Sequence, residues 1–476
     1  MNTVQKIAKN TILLSISQII TYALGFVFIM YSARYLGVED FGILSFALAF
    51  SGIMMLFADL GLSTLMIREV SRDKNLTEKY IKNILSLKII LSSFTLLSSI
   101  IIILIMGYNI EIIKITVLIT LYSLFSSLSI MFYSLFQAHE KLEYQSLGQV
   151  FNQSLLFLGA FFLIFNKIDI MGFALLYFLV GLIVFLYNFT VCRCRYVLPQ
   201  MEIDLDFWKK LIKKALPLSI LIIFSSIAFR IDIVLLSMLD SNTAVGIYSA
   251  AYRLIEILIF LPTVFVASIY PVVSRFHVSS KESLKKAYKT SFKYLTFLGL
   301  PIATGVTLLA DKIILLIYGS QFTGSVIALK ILIWAIPLIF LTYFSGTIVI
   351  SINKQNIAVK IFLLSMIINV VLNIIFIPHF SFYAASIITI ITELTELSLF
   401  SFFLFKFICN IQIKKIIIKP IIASLVMGLF IFYMDMNLYL QIFTATCVYF
   451  FTLLILKTFS DEDFDLIRQV ITLKKK

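Results

Sequence analysis

PLSILIIFSSIAFRIDIVLLSML at 217–239, followed after a short polar break by VGIYSAAYRLIEILIFLPTVFVASIY at 245–270, decides the fold class. Each run is continuous and apolar over about 20 residues or more, the length a helix needs to cross a hydrocarbon core of about 30 Å. A transmembrane barrel would instead show segments of about 10 residues that alternate in and out. Lipid leaves such runs no structure but the helix, because every backbone polar group has to be satisfied within the segment. Each run also carries two charges, Arg230 with Asp232 and Arg253 with Glu256. A charge at membrane depth costs roughly 2.5 to 3.5 kcal/mol on insertion scales, so such residues face a protein interior or a wet cavity and have partners.

The rest of the chain repeats the pattern. It has 476 residues, 61% hydrophobic and 13% charged, whereas about a quarter of an ordinary soluble protein is charged. An all-α membrane protein is predicted, with about 14 transmembrane helices at 11–33, 41–65, 84–106, 115–137, 147–165, 170–191, 217–239, 245–270, 294–317, 326–350, 357–377, 382–405, 420–434 and 439–456. The first run is too long for the apolar region of a signal peptide and ends in RYLG, so it reads as a retained span. The stretch DLDFWKKLIKKALP has apolar residues at helical spacing between lysines and is expected to lie in the headgroup plane. It separates two groups of six spans, giving segments 1–191, 192–216, 217–405 and a closing segment 406–476 with two helices and a basic tail.

Orientation follows from the basic residues, which gather in cytoplasmic loops. Lys and Arg fill alternate loops from the N-terminus on, and the opposite set carries only Arg34, Lys114 and Lys167. Both termini are therefore expected in the cytoplasm, with the protein multi-pass in the plasma or inner membrane. The net charge of +14 is spread over many short loops, which argues for orientation and against nucleic-acid binding. No loop is long enough for a soluble catalytic domain, and no catalytic residues are expected. Four cysteines form no disulfide or zinc pattern, so neither a metal nor a cofactor is expected. No nucleotide-binding motif is present, which removes ATP hydrolysis as the energy source and leaves an ion gradient, with proton or sodium coupling, the membrane potential or product removal.

An internal repeat joins the halves. MYSARYLGVEDFGILSFALAF (30–50) aligns with LLSMLDSNTAVGIYSAAYRL (235–254) when Gly42 is set on Gly246, which also pairs Ile43 with Ile247, Ser45 with Ser249 and Ala47 with Ala251. Small residues at this spacing let helices approach closely. Six spans per half make the repeats parallel, related by an axis along the membrane normal, as suits alternating access.

Seven segments, RYLGVEDFG (34–42), ADLGLSTLMIRE (58–69), LFQAHEKLEYQSLGQV (135–150), FRIDIVLL (229–236), AVGIYSAAYRLIE (244–256), IYGSQF (317–322) and INVVLNIIFIP (368–378), carry a resemblance over nearly the whole chain. They resemble the polysaccharide-biosynthesis, or Wzx-type, oligosaccharide flippases of the multidrug/oligosaccharidyl-lipid/polysaccharide exporter superfamily. The resemblance implies two pseudo-symmetric six-helix lobes around a central cavity lined by the first, second, seventh and eighth spans. It also implies a lipid-diphosphate-linked oligosaccharide as the substrate, moved from the inner to the outer leaflet, with membrane lipids and glycan assembly enzymes as partners. One departure lies after Pro378, where HFSFYAAS, with Ser381 and Tyr383, stands in place of the glycines usual before an Ala pair.

Arg230 lies about 20 Å along the seventh span and Arg253 about 12 Å into the eighth from the opposite end, which gives them one depth. Arg253 and Glu256, three apart, can meet on one helix face, while Arg230 and Asp232, two apart, point to different sides. At least one of the latter needs a partner elsewhere. Arg230 or Arg253 can offer a bidentate fork to the diphosphate of a substrate; a structural salt-bridge cluster is the competing reading. Asp232 and Glu256, as acids beside the arginines, are the candidates for ion pairing or for taking up a driving cation.

Arg34, at the outer end of the first span, either guards the opening or snorkels. Asp59, near the cytoplasmic end of the second span, reads as a local cap or ion pair with Arg68 as candidate partner. Glu393 and Glu396 share a face in the middle of the twelfth span without a basic neighbour, and read as a proton-coupling site or a hydrogen-bonded structural pair. Lys88, Lys312, Lys330 and Lys360 fall near span ends and are expected to snorkel. A drug or cation exporter of the same superfamily is the alternative function, and it predicts an acidic cavity. A membrane-embedded glycan polymerase or transferase is a further alternative, and it predicts long outer loops with catalytic groups.

Overall fold

The computed structural model describes residues 3–407, 413–434 and 436–459. The basic tail expected at the C-terminus lies from residue 460 on outside the described residues. The described residues are helical, with no strand among them. Helices α1 (Thr3–Asp59), α2 (Leu62–Arg72), α3 (Thr77–Ile105), α4 (Ile110–Ala138), α5 (Leu142–Phe165), α6 (Ile170–Arg195), α7 (Leu205–Leu239) and α8 (Asn242–Leu258) follow one another through the first half. Then come α9 (Phe260–Ser279), α10 (Lys281–Ile317), α11 (Ser325–Leu332), α12 (Ala335–Ser351), α13 (Gln355–Phe407), α14 (Ile413–Tyr433) and α15 (Leu438–Ile455). Two compact units divide the chain, Met1–Ser249 with Asn369–Phe382, and Ala250–Ile368 with Tyr383–Lys476.

Among the described residues eleven helices are long and apolar enough to cross a membrane, or twelve if the bent pair α11 and α12, which meet at 42°, forms one span. Fourteen separate spans were expected, and the difference lies mainly in α1 and α13. These contain 57 and 53 residues, about 80 Å each at 1.5 Å per residue, which far exceeds a hydrocarbon core of about 30 Å. Each is interrupted by one residue with non-helical backbone, Gly37 (φ 80°) in α1 and Ser381 (φ 53°, ψ −141°) in α13.

Ser381 belongs to the segment where the sequence lacks the usual glycines. It holds a backbone conformation that glycine adopts without cost, and its hydroxyl donates to the Asp240 carboxylate. Ser381→Ala keeps the unfavourable φ and loses the hydrogen bond, and a loss of about 1 kcal/mol is expected. Ser381→Gly loses the same bond but relaxes the backbone, an opposing term of about 1 to 3 kcal/mol. The glycine variant should therefore unfold at a higher temperature than the alanine variant, which thermal unfolding of the two purified proteins will measure.

Helix starts are set by local polar caps. Asn109, Asp169 and Asp204 each accept a hydrogen bond from a backbone N–H in the first turn of α4, α6 and α7, the usual role of Asn and Asp at this position. The amphipathic segment expected in the headgroup plane is the first part of α7, which continues through Pro217 into the spanning part. Its apolar face is covered by protein. Trp208, Leu211 and Ala215 are buried with Leu62, Leu65 and Met66 of α2 and Ile81 and Leu85 of α3, and the Trp208 indole donates to Asn83 Oδ1 at 3.1 Å. A helix with one apolar stripe has to bury it, and α2, amphipathic in the same way, provides the surface.

The first unit contains a reciprocal helix crossing. A Cβ placed on Gly42 of α1 would fall on the carbonyl of Asn242, and one placed on Gly246 of α8 would fall on the carbonyl of Val38. Each glycine thus receives the carbonyl four residues before the other, the pattern of a local two-fold contact. These are the two glycines on which the internal repeat was aligned. Tyr108, between α3 and α4, supports the crossing: its ring lies 4.9 Å from that of Phe46. The Tyr108 hydroxyl donates to Ser237 Oγ at 2.8 Å, and Ser237 donates to Asn242 Oδ1 at 3.0 Å.

Candidate functional site

The embedded charges fall in both units. In the first unit, Arg230 of α7 is exposed and extends its guanidinium over Gly52 of α1. A Cβ on residue 52 would collide with Nη1, and it would stand 3.0 Å from Cζ. Gly52 is therefore the seat of the arginine, a feature missed in the sequence. The repeat offered a signal for it, since the register that sets Gly42 on Gly246 sets Gly52 on Glu256. At equivalent positions, one half has a glycine beneath one arginine and the other half has an acid that pairs with another.

Asp232, two residues on, turns inward as the helix period requires and is 2% exposed. Its carboxylate accepts from the Tyr248 hydroxyl at 3.0 Å and from Asn373 Nδ2 at 2.8 Å. Asn373 Nδ2 also stands 3.0 Å from both the backbone oxygen and Oδ1 of Asn369. The expected remote partners of Asp232 thus include neutral donors on α8 and α13. Asn369 and Asn373 are spaced to share one face of an apolar helix, and that polar pair is the trace the sequence did carry.

In the second unit, Arg253 and Glu256 meet as their spacing predicts, Nη1 to Oε2 at 2.6 Å, each about a quarter exposed. Glu393 and Glu396 are further along α13. Glu396 is buried beside Ser365, and Glu393 lies beside Thr342. The Glu393 Oε2 atom has no hydrogen-bond partner among the described residues. Arg34 is exposed, one turn before the break at Gly37.

Asp59 makes an ion pair, but with Lys88 and not with Arg68. The Lys88 ammonium donates to Asp59 Oδ1 at 2.6 Å, to the Ser127 carbonyl at 2.6 Å and to Ser63 Oγ at 3.2 Å. Arg68 instead pairs with the adjacent Glu69 at 2.8 Å. The expectation that Lys88 snorkels is overturned, since its side chain is 0% exposed. The reason is the length of α3, which begins at Thr77 and not near residue 84, so that Lys88 lies three turns inside. Lys312 also turns inward, to the Met436 carbonyl at 3.2 Å and Gln441 Oε1 at 3.1 Å. Lys330 is half-buried and pairs with Asp311 at 2.8 Å, and Lys360 is exposed.

Among the described residues no group of three or more His, Cys, Asp or Glu is placed to hold a metal ion. The arrangement offers guanidinium groups and buried carboxylates on apolar helices.

Residues 7–277, more than half of the chain, match the family model described as "polysaccharide biosynthesis protein", and residues 217–375 match the model described as MatE. Among curated relatives, a probable low-salt glycan biosynthesis flippase, Agl15, of Haloferax volcanii is 23% identical over 159 residues, 33% of this chain and 34% of the relative. A probable flippase of the same organism, AglR, is 23% identical over 163 residues, again 33% and 34%. The chain thus spans about a third of the length of these relatives. Among solved structures, the lipid II flippase MurJ in an inward closed conformation superposes with a TM-score of 0.80 at 17% identity, covering 96% of this chain and 100% of that one. An inward-facing multidrug resistance MATE family transporter of the MOP superfamily gives 0.64 at 18% identity, covering 83% and 97%. These likenesses establish the fold.

Proposed function

The chain belongs to the polysaccharide biosynthesis family, and we propose that it is a flippase carrying a polyprenyl-diphosphate-linked oligosaccharide from the cytoplasmic to the outer leaflet by alternating access. The observation that carries this reading is the seat of Arg230. A guanidinium inside a spanning helix is costly unless it faces a hydrated cavity or a partner, and here a glycine keeps the neighbouring helix clear of it. An arginine fork suits the paired oxygens of a diphosphate. Arg34 in the first unit, and Arg253 in the second, where it is held by Glu256, are further proposed substrate-binding residues.

The relatives named as flippases and the MurJ-like fold support the same reading. The substrate's glycan assembly enzymes are the proposed partners, the plasma membrane the proposed location, and a cytoplasmic position is proposed for both termini. Glu393 and Glu396 are proposed as the coupling site, where a proton taken up on one side and released on the other would drive the cycle. Asp232 and Asp59 are assigned structural roles, because their hydrogen bonds hold helices together. Ion-coupled export of a cationic drug is the second reading, and the buried acids of α13 favour it.

Replacing Arg230 separates the two. Losing a charge-assisted hydrogen bond removes about 1.5 to 3 kcal/mol, so Arg230→Ala should slow translocation of a lipid diphosphate in proteoliposomes by about tenfold or more. Arg230→Lys should fall between it and the unaltered protein, since an ammonium keeps the charge and loses the fork. Both variants should elute and unfold as the unaltered protein does. Undiminished translocation by Arg230→Ala would remove the arginine from the substrate site, and efflux of a lipophilic cation in its place would favour the exporter.

A further inference from the structure

A cavity of about 360 Å³ lies within the first unit, apart from the charged residues, between α1, α4, α5 and α6. Its size falls in the range of small-ligand sites, about 300 to 1,000 Å³. Three polar helix faces converge on it. Tyr122, Ser126, Ser129 and Tyr133 follow one another along α4 at the four- and three-residue steps that keep side chains on one face. Gln149 and Asn152 face them from α5, and Gln18, Thr21 and Tyr22 from α1.

The two tyrosines of α4 are seated by glycines. A Cβ on Gly148 would stand 2.6 Å from the Tyr133 hydroxyl, and one on Gly181 would stand 2.8 Å from the Tyr122 ring. The Tyr122 hydroxyl in turn is in hydrogen-bonding reach of Asn152 and Ser126. The polar wall is incompletely satisfied from within. Ser129 is 3% exposed, and its Oγ, like Oγ1 of Thr21, has no hydrogen-bond partner among the described residues. A molecule in the cavity can satisfy both of these hydroxyls, which the protein leaves unpaired.

The chemistry of the lining selects that occupant. No Asp, Glu, Lys, Arg or His borders the cavity, so a cation or a phosphate would be held there without a counter-charge, at high cost. Amide side chains offer a donor and an acceptor each, which matches the paired donor and acceptor character of a sugar hydroxyl. Tyrosine rings offer flat apolar faces to the C–H side of a pyranose. We infer that this cavity is a binding site for an uncharged sugar ring, and that the protein holds its substrate at two chemically separate places, the glycan here and the anionic group at Arg230. The second half of this inference rests on the flippase reading. The first half does not.

The test uses the full chain in lipid nanodiscs. Saturation-transfer NMR with methyl glycosides of neutral hexoses, 6-deoxyhexoses and N-acetylhexosamines reads the sugar, and calorimetry with inorganic pyrophosphate reads the anion. At least one glycoside class should bind at millimolar concentration. Asn152→Leu, and the milder Gln18→Ala at the exposed edge of the cavity, should weaken that binding by about tenfold, and so should Ser129→Leu, which narrows the cavity and removes a hydroxyl from its wall. Pyrophosphate binding should be unchanged in all three, and the reverse pattern should hold for Arg230→Ala. The assignment is overturned if no glycoside class binds, if binding persists in variants whose melting temperature is unchanged, or if tetraphenylphosphonium displaces the glycoside. Glycoside binding in a protein that fails to translocate a lipid diphosphate would remove the flippase reading and leave the sugar site standing.

Discussion

Replacing Gly42 or Gly246 by alanine, a change of one methyl group, is expected to cost more than about 3 kcal/mol and to deplete the folded protein. Overpacking a core costs about 1 to 3 kcal/mol when side chains can yield. Here the obstacle is backbone, the Asn242 carbonyl in one case and the Val38 carbonyl in the other, so the helices themselves have to separate. The effect should not add. Once one methyl group has forced α1 and α8 apart, the second finds room, and the double variant should lose less than the sum of the single losses. Gly305→Ala is the control, because the nearest atom to its added Cβ is 3.8 Å away, and alanine is the better helix former by about 1 kcal/mol. It should be neutral or stabilising. Thermal unfolding of the four variants and the unaltered protein checks all of this, and a Gly42→Ala variant as stable as Gly305→Ala would disprove the crossing.

The second large effect concerns Lys88 and Asp59. Removing one partner of a buried ion pair typically costs about 3 to 5 kcal/mol, because the other charge is left without compensation. The two partners differ in exposure, 0% for the Lys88 side chain and 25% for that of Asp59. Asp59→Asn strands a wholly buried ammonium and should be the more damaging single change. Lys88→Met leaves a carboxylate that water can still reach, together with its hydrogen bond from Ser63. The double replacement Lys88→Met with Asp59→Leu should recover most of the loss, since a well-packed apolar pair can match a buried salt bridge. Folded yield and melting temperature across the three variants are the readout. Equal stability of Lys88→Met and the unaltered protein would show that the pair is dispensable.

What could be read from the sequence, and what could not, divides by distance along the chain. The apolar runs, the interruptions between residues 33 and 41 and between 377 and 382, and the Arg253–Glu256 pair are local features, legible from hydropathy and helix period. Gly42 and Gly246 were legible as a repeat because both sit in the same short motif, although only the structure shows that they touch. Asp232 is different. Its donors Tyr248 and Asn373 lie 16 and 141 residues away, and no periodicity connects them. Lys88 was misread because span ends were drawn from hydropathy. The polar first turns of α3, from Thr77 to Asn83, extend the helix beyond its apolar part and carry the lysine into the interior. The sugar cavity escaped notice for a further reason: its residues are neutral, each unremarkable alone, and only their convergence from three helices makes a site.

Leaflet distribution of the lipid-linked oligosaccharide in cells depleted of the protein tests the central claim most directly. The account predicts that the lipid-linked glycan accumulates in the cytoplasmic leaflet, and that the unaltered protein but not Arg230→Ala restores its delivery to the outer leaflet. Unchanged delivery after depletion would contradict it.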